Sequence, residues 1–161
     1  MDKNKYLVYL KYVLKHKYFV FLECWKLGIV WLGITHDWSK LLPSEFIPYA
    51  KHFYNKTVRD STGYYKPYDT GDKAFDLAWF WHQKRNKHHW QYWCLPMDGG
   101  SAKVLDMPMK YRKEMLADWC GAGRAQGTPN SLNWFEVHGG KFILHPDVRA
   151  WIHERLREKF L

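Results

Sequence analysis

Two adjacent residues, His36 and Asp37, stand in the run Gly33-Ile34-Thr35-His36-Asp37-Trp38-Ser39-Lys40, and an imidazole beside a carboxylate supplies two metal-ligand types at consecutive positions. Alone, the pair also fits a helix cap, with the imidazole on backbone carbonyls and Asp37 paired with Lys40. More residues of the same chemistry follow the pair and precede it: His16 upstream, His82, His88 and His89 downstream, and Asp118 beyond them. Hydrolysis at a divalent metal needs several N and O ligands on rigid elements, with positions left open for water. These residues fall on or beside different predicted helices, so a fold that brings the helices together would assemble such a site.

Each of these residues also has a plainer reading. His16 lies among Lys11, Lys15 and Lys17 and fits the solvated end of a basic helix. Asp118 lies between Ala117 and Trp119 in an apolar helix end, where a buried carboxylate needs a cationic partner, either a metal or Arg124. The cluster Lys84-Arg85-Asn86-Lys87 fits a solvated helix face, or a turn that offers Lys84 or Arg85 to a substrate phosphate. Glu45 is either a general base or a helix cap. His52, His138, His145 and His153 read as surface or capping residues, and the tryptophans as core.

The elements that must position these groups read as helices in one domain over residues 1–161. A chain of 161 residues with 47% apolar and 19% aromatic side chains has ample surface to bury, which excludes disorder. Leu7, Leu10, Val13 and Leu14 recur at helical spacing from Lys3 to about His16, which closes this segment or links it to the next, and Phe19 to Thr35 continues as a nearly all-round apolar helix ending at His36-Asp37. Glu23 and Lys26 interrupt that tract, so it reads as a buried helix and not a membrane span. A helix from Glu45 to Phe53 follows, opened by Pro43 or Ser44. Residues 55–70 read as a loop and candidate lid. Asp72 to Trp93 reads as one long helix capped by Thr70 or Asp72, on which His82 and His89, seven apart, share a face within roughly 20° while His88 points away. His82 and His89 are therefore the expected pair.

Residues 95–105 read as loop, Pro108 to about Cys120 as a helix ended by Gly121 and Gly123, and 122–132 as a second loop. Val137 to Phe142 reads as a turn or hairpin, and a final amphipathic helix starts at His145-Pro146-Asp147 with Val148, Trp151, Ile152 and Leu156 on one face. Three cysteines without CxxC spacing argue against a disulfide framework or zinc knuckle and for a reducing, cytoplasmic setting, with no signal peptide evident. The net charge of +9 admits anionic partners, nucleotides and nucleic acid included, without selecting among them.

The order His16, His36-Asp37, His82, His88-His89, Asp118 resembles the H…HD…H…H…D pattern of the HD-domain superfamily, an all-helical metal-dependent phosphohydrolase fold. The run His36-Asp37-Trp38-Ser39-Lys40 is similar to the HDxGK segment of its cyclic-dinucleotide phosphodiesterase branch, although Trp90-Gln91-Tyr92-Trp93 stands where that branch carries glycine-tyrosine-proline, and the spacing from His82 to His88-His89 is shorter. Together with Trp81 to Trp90 and Glu114 to Trp119, the run more closely resembles a family of short phage and bacterial proteins to which no activity is attached, over most of residues 5–160. The superfamily resemblance implies an all-α, HD-like fold. It also implies that His16, His36, Asp37 and Asp118 hold one metal, and that Asp37, His82 and one of His88 or His89 hold a second, with Asp37 as bridge and Lys40 on a phosphate or the attacking water.

The function expected on these grounds is metal-dependent hydrolysis of a nucleotide or other small phosphate ester through a metal-activated water, with Asp37, Lys40 and Arg85 at the reacting groups. One or two divalent ions are implied, Mg or a transition metal such as Mn, Fe, Co, Ni or Zn, and histidine-rich ligation favours the transition metals. Two other readings are a di-iron oxygenase on the same scaffold and a basic protein that binds nucleic acid or nucleotides without catalysis.

Overall fold

The structure is a computed structural model that describes residues 4–55 and 71–161. The 55–70 loop, read from sequence as a lid, lies outside the described residues apart from Asn55, which ends a helix. Helix α1 (Asn4–Lys26) buries Tyr9, Val13, His16, Val20, Glu23 and Cys24, a stripe at steps of three, four and one that holds one side of the helix against the core. His16 belongs to that stripe and links the two segments read from the sequence, while Lys11 and Lys15 beside it are exposed. The chain turns at Gly28, whose φ of 71° suits a residue without Cβ. The expected helix from Phe19 to Thr35 is therefore the end of α1 plus a short α2 (Val30–Thr35).

A 3₁₀ turn over Trp38–Leu41 leads into α3 (Pro43–Asn55), with Pro48 inside it. Helix α4 (Lys73–Arg85) is capped by Asp72, whose side chain accepts from the backbone N–H of Ala74 and Phe75 at 3.2 Å. A 3₁₀ turn over Trp90–Trp93 and a two-stranded hairpin follow, β1 (Cys94–Pro96) pairing antiparallel with β2 (Ala102–Val104), where the sequence reads as plain loop. Helix α5 (Met109–Gln126) runs past the expected stops at Gly121 and Gly123 to Gly127, which takes φ 84° and ends it. Helix α6 (Ser131–His138) starts within the second expected loop and ends in a 3₁₀ turn over Gly139–Lys141, the turn and not the hairpin of the two forms expected there. Helix α7 (Pro146–Phe160) buries Val148, Ile152 and Leu156 as the spacing predicts. The fold is all-α but for the hairpin.

Two cores flank α1. Toward its N-terminus, Tyr9 and Val13 pack with Tyr49 and Ala50 of α3 and Ala78 of α4. On the other side, Met115, Leu116 and Cys120 of α5 pack with Leu132 and Phe135 of α6 and with Val148, Ile152 and Leu156 of α7. Trp90, Trp93, Trp119 and Trp134 pack against that second core, whereas Trp25, Trp31 and Trp38 are exposed at 63%, 80% and 54%, contrary to the expectation that the tryptophans fill the interior.

The contact that matters most for the site is the crossing of α1 and α5. A Cβ at Gly121 would stand 2.5 Å from Val20 Cγ2 and 2.8 Å from the Val20 backbone nitrogen. Backbone cannot yield as a flexible side chain can, so only glycine permits this approach. Gly121→Ala is expected to force α1 and α5 apart and to destabilise the fold by about 1–3 kcal/mol, the usual cost of overpacking, read as a lower urea midpoint. An unchanged midpoint would show that the crossing relaxes freely.

Near the same crossing, Glu23 is 3% exposed and pairs with Lys159 of α7, with Arg124 of α5 at 2.9 Å and with Lys26 at 3.4 Å. Burial works against its charge, but the Lys159 and Lys26 ammonium groups outweigh it and hold its carboxyl below the ordinary 4.5. A depressed carboxyl stabilises the fold above its unfolded pKa, and this is lost as pH falls through the folded value. The stability gap between the parent and Glu23→Gln should be widest near neutral pH and close below about pH 4; urea titrations at several pH values measure it.

Candidate metal centre

Asp37 stands at the middle of the site. It follows the end of α2 with φ 51°, a left-handed conformation that aspartate tolerates better than most residues. That turn separates the end of α2 from the 3₁₀ turn at Trp38–Leu41 and leaves the carboxylate buried, with only 1% of its side chain exposed.

On one side, four donor atoms converge. His16 Nε2 of α1 and His36 Nε2 at the end of α2 lie 3.3 Å apart. Asp37 Oδ2 is 3.5 and 3.4 Å from them, and Asp118 Oδ1 of α5 is 3.2 and 3.3 Å from them. Ligand atoms that share one ion at about 2.0–2.2 Å sit roughly 3.0–3.6 Å from each other, and the observed spacings fall in that range. On the other side, Asp37 Oδ1 is 3.3 Å from His82 Nε2 and 3.4 Å from His88 Nε2. His89 joins this second group, all of whose ligand atoms lie within 4.8 Å of one another. One carboxylate thus faces both groups, one oxygen to each.

The chemistry of the second group fits a metal for a further reason. Asp37 Oδ1 and the Nε2 atoms of His82, His88 and His89 are buried and make no hydrogen bond. Buried polar atoms left without partners are costly, and four of them in one place suit a cation that accepts lone pairs from all.

The sequence expectation for this group holds only in part. Helix α4 does not continue to Trp93; it ends at Arg85, where Asn86 takes an extended conformation and its backbone N–H still bonds the His82 carbonyl. The side-chain amide of Asn86 bonds the same carbonyl at 2.8 Å and Ser39 Oγ at 2.9 Å. The chain therefore turns back, and His88, expected to point away on an unbroken helix, faces Asp37. His89 also lies close, its ring 4.7 Å from that of His82, so the turn delivers both histidines.

Around the donor atoms lies a layer of carboxylates that the ligand motif does not contain. Glu45 of α3, fully buried, meets His82 Nδ1 at 2.9 Å and accepts from Ser39 Oγ at 2.9 Å and from Arg85 at 2.6 Å. It is neither cap nor reacting base in this arrangement; it orients His82. Arg85, placed by sequence among the reacting groups, contacts Glu45 and stacks over Trp81, and so reaches the site through Glu45 and His82. Glu114 of α5 meets His36 Nδ1 at 3.1 Å and His88 Nδ1 at 3.2 Å. Its signal in the sequence is its place four residues, about one helical turn, before Asp118. Arg124, the alternative partner for Asp118, pairs with Glu23 instead.

Two lysines complete the surroundings. Lys40 Nζ is 2.6 Å from Asp37 Oδ2, and Lys17 donates to the His36 carbonyl. Burial opposes charge on Lys40, but Asp37 holds its pKa well above the ordinary lysine value. Burial likewise opposes charge on Asp37, yet His36, Lys40 and His82 keep its carboxyl well below the usual range, and His16 and His36 do the same for Asp118. His82 and His89 are pushed down by burial and stand neutral, ready to donate lone pairs. His36 differs: burial lowers it, but Asp37, Asp118 and Glu114 outweigh burial and raise it to about 10.

The fold and the site together define an all-α protein whose interior carries a two-sided histidine and carboxylate cluster able to hold metal. The chain belongs to the family described as Family of unknown function (DUF5662), which matches residues 5–158. No curated protein and no solved structure matches it. Among the described residues, no helix is long and apolar enough to cross a membrane.

Metal uptake must displace the His36 proton, since a ligating imidazole donates the lone pair that the proton occupies. At pH 8, below the His36 value of about 10, binding should release about one proton from this group, and apparent affinity should rise with pH toward that value. Calorimetric titrations with Mn²⁺ in buffers of different ionisation enthalpy measure the release; a slope of zero would mean that His36 carries no proton to displace at pH 8 or is not a ligand.

Proposed function

We propose that this protein is a metal-dependent phosphohydrolase of the HD type, acting on a nucleotide or another small phosphate ester. The observation that carries the reading is the pair of donor groups facing the two oxygens of Asp37, with the order of those donors along the chain, which resembles the superfamily pattern. His16, His36, Asp37 and Asp118 would hold one divalent ion, and Asp37, His82, His88 and His89 a second. Ions bound there would polarise a phosphoryl oxygen and lower the pKa of a coordinated water toward neutrality. The preponderance of imidazole favours Mn, Fe, Co, Ni or Zn over Mg.

The protein's own groups do the rest. Asp37 bridges the two sides and, held ionised, adds negative charge that draws cations in. Lys40, beside it, remains charged and stands where it can neutralise a phosphate oxygen as the ester bond breaks. Glu45, with Arg85 and Ser39 behind it, keeps His82 in one orientation. Asp118 and Lys40 keep side-chain exposures of 14% and 16%, against 3% or less for His16, His36, Asp37, His82 and His88, so an approaching substrate would meet them before those ligands. The net charge of +9 favours anionic substrates over neutral ones.

The test is a screen of nucleotides and generic phosphate esters on metal-free protein resupplied with several divalent ions. Asp37→Asn should lose metal and at least about a hundredfold in turnover, while Lys40→Met should keep metal content and lose turnover. Equal turnover by Asp37→Asn and the parent would refute the bridging role, and purified protein without stoichiometric metal, with stability indifferent to chelator, would refute the metal centre.

A further inference from the structure

An imidazole that gives Nε2 to a metal must carry its proton on Nδ1, and the acceptor that receives that N–H fixes the tautomer and the ring plane. The acceptors here are unequally shared. Glu45 serves one ligand, His82. His16 Nδ1 has no hydrogen-bond partner. Glu114, by contrast, offers a single oxygen, Oε1, to His36 Nδ1 at 3.1 Å and to His88 Nδ1 at 3.2 Å, and the two rings lie 4.4 Å apart. His36 belongs to the group on Asp37 Oδ2 and His88 to the group on Asp37 Oδ1.

We infer that Glu114 is a positioning residue that orients one ligand in each half of the centre and thereby couples the two metal sites from outside, as Asp37 couples them from within. Resting on the metal centre proposed above, this explains why a carboxylate only 5% exposed is placed one turn before Asp118 on α5. The same helix then supplies a direct ligand to one half and an oriented hydrogen-bond acceptor to both. A small movement of α5 would shift Asp118 and Glu114 as one body, so both ions would respond to it together. A carboxylate present only to balance charge in the core would show no such division between the halves.

Calorimetric titration of metal-free, full-length protein with Co²⁺, followed in parallel by the visible absorption of the bound ion, separates the possibilities. The parent is expected to bind two Co²⁺ per chain, each site followed by its own absorption bands. Glu45→Ala should weaken one step by about 10- to 100-fold, the range for lost outer partners of metal ligands, and leave the other within about threefold. Glu114→Ala should weaken both and alter both sets of absorption bands. Glu114→Gln, whose carbonyl oxygen still accepts both N–H groups but without charge, should weaken both by a smaller factor and keeps the test open if the alanine variant does not fold. Two steps in the parent with one or neither changed by Glu114→Gln and Glu114→Ala would overturn the coupling and leave the metal centre standing. A parent that binds only one Co²⁺ per chain would also overturn the coupling, and a parent that takes up no Co²⁺ would overturn the coupling and the centre together.

Discussion

A carboxylate sealed inside protein must be surrounded by positive or electron-accepting partners, and the burial of Asp37 imposes that demand on everything near it. Its side chain is 1% exposed, and its oxygens face imidazoles on two sides and one ammonium group. No single element could satisfy it. Helix α1 sends His16, the end of α2 sends His36, the turn after α4 sends His88 and His89, α4 itself sends His82, and α5 sends Asp118. The packing of these helices is therefore also the assembly of the cluster, and the glycine crossing of α1 and α5 bears on both.

A second consequence follows from the number of charges. Asp37, Asp118, Glu45 and Glu114 are all carboxylates held below their ordinary pKa, and they lie among neutral or protonated imidazoles with few full cations close by. The two inner ones present oxygens toward the centre; the two outer ones turn theirs to ring N–H groups. This division of labour sets ring orientation from outside the centre, because the outer hydrogen bonds are made by ring atoms that face away from it. Arg85 and Ser39 anchor Glu45 in turn, so the order extends outward to partly exposed side chains.

The candidate ligand residues were legible in the sequence because metal chemistry uses few residue types, and His36-Asp37, His82, His88, His89 and Asp118 are conspicuous in it. His16 was legible as a type but not as a place: lysines on either side suggest solvent, while the helical stripe through Tyr9, Val13 and Val20 puts it inside. Helical periodicity found α3 and α7 well. It failed after Arg85, since nothing in the pattern of Lys84 to Trp93 signals a break, and the break depends on Asn86 bonding Ser39, forty-seven residues away. The outer carboxylates were hidden for a related reason. Glu45 and Glu114 act through contacts between distant segments, and the one-turn spacing of Glu114 from Asp118 marks a shared helix face without naming its partners His36 and His88. Gly121 likewise reads as a helix stop until the helix that crosses it is known.

The left-handed backbone at Asp37 has an outcome for how this chain tolerates change. Two separate filters fall on that one position: the cluster accepts only a short carboxylate, and φ of 51° disfavours β-branched and bulky residues while sparing glycine, asparagine and aspartate. Replacement by glutamate would keep the charge and offend the turn; replacement by asparagine or glycine would keep the turn and lose the charge. The easiest route to an unaltered fold without the central carboxylate thus runs through asparagine or glycine at this site, and a chain of this kind that carries either one would keep the scaffold while its histidine cluster lost the charge that joins its two sides.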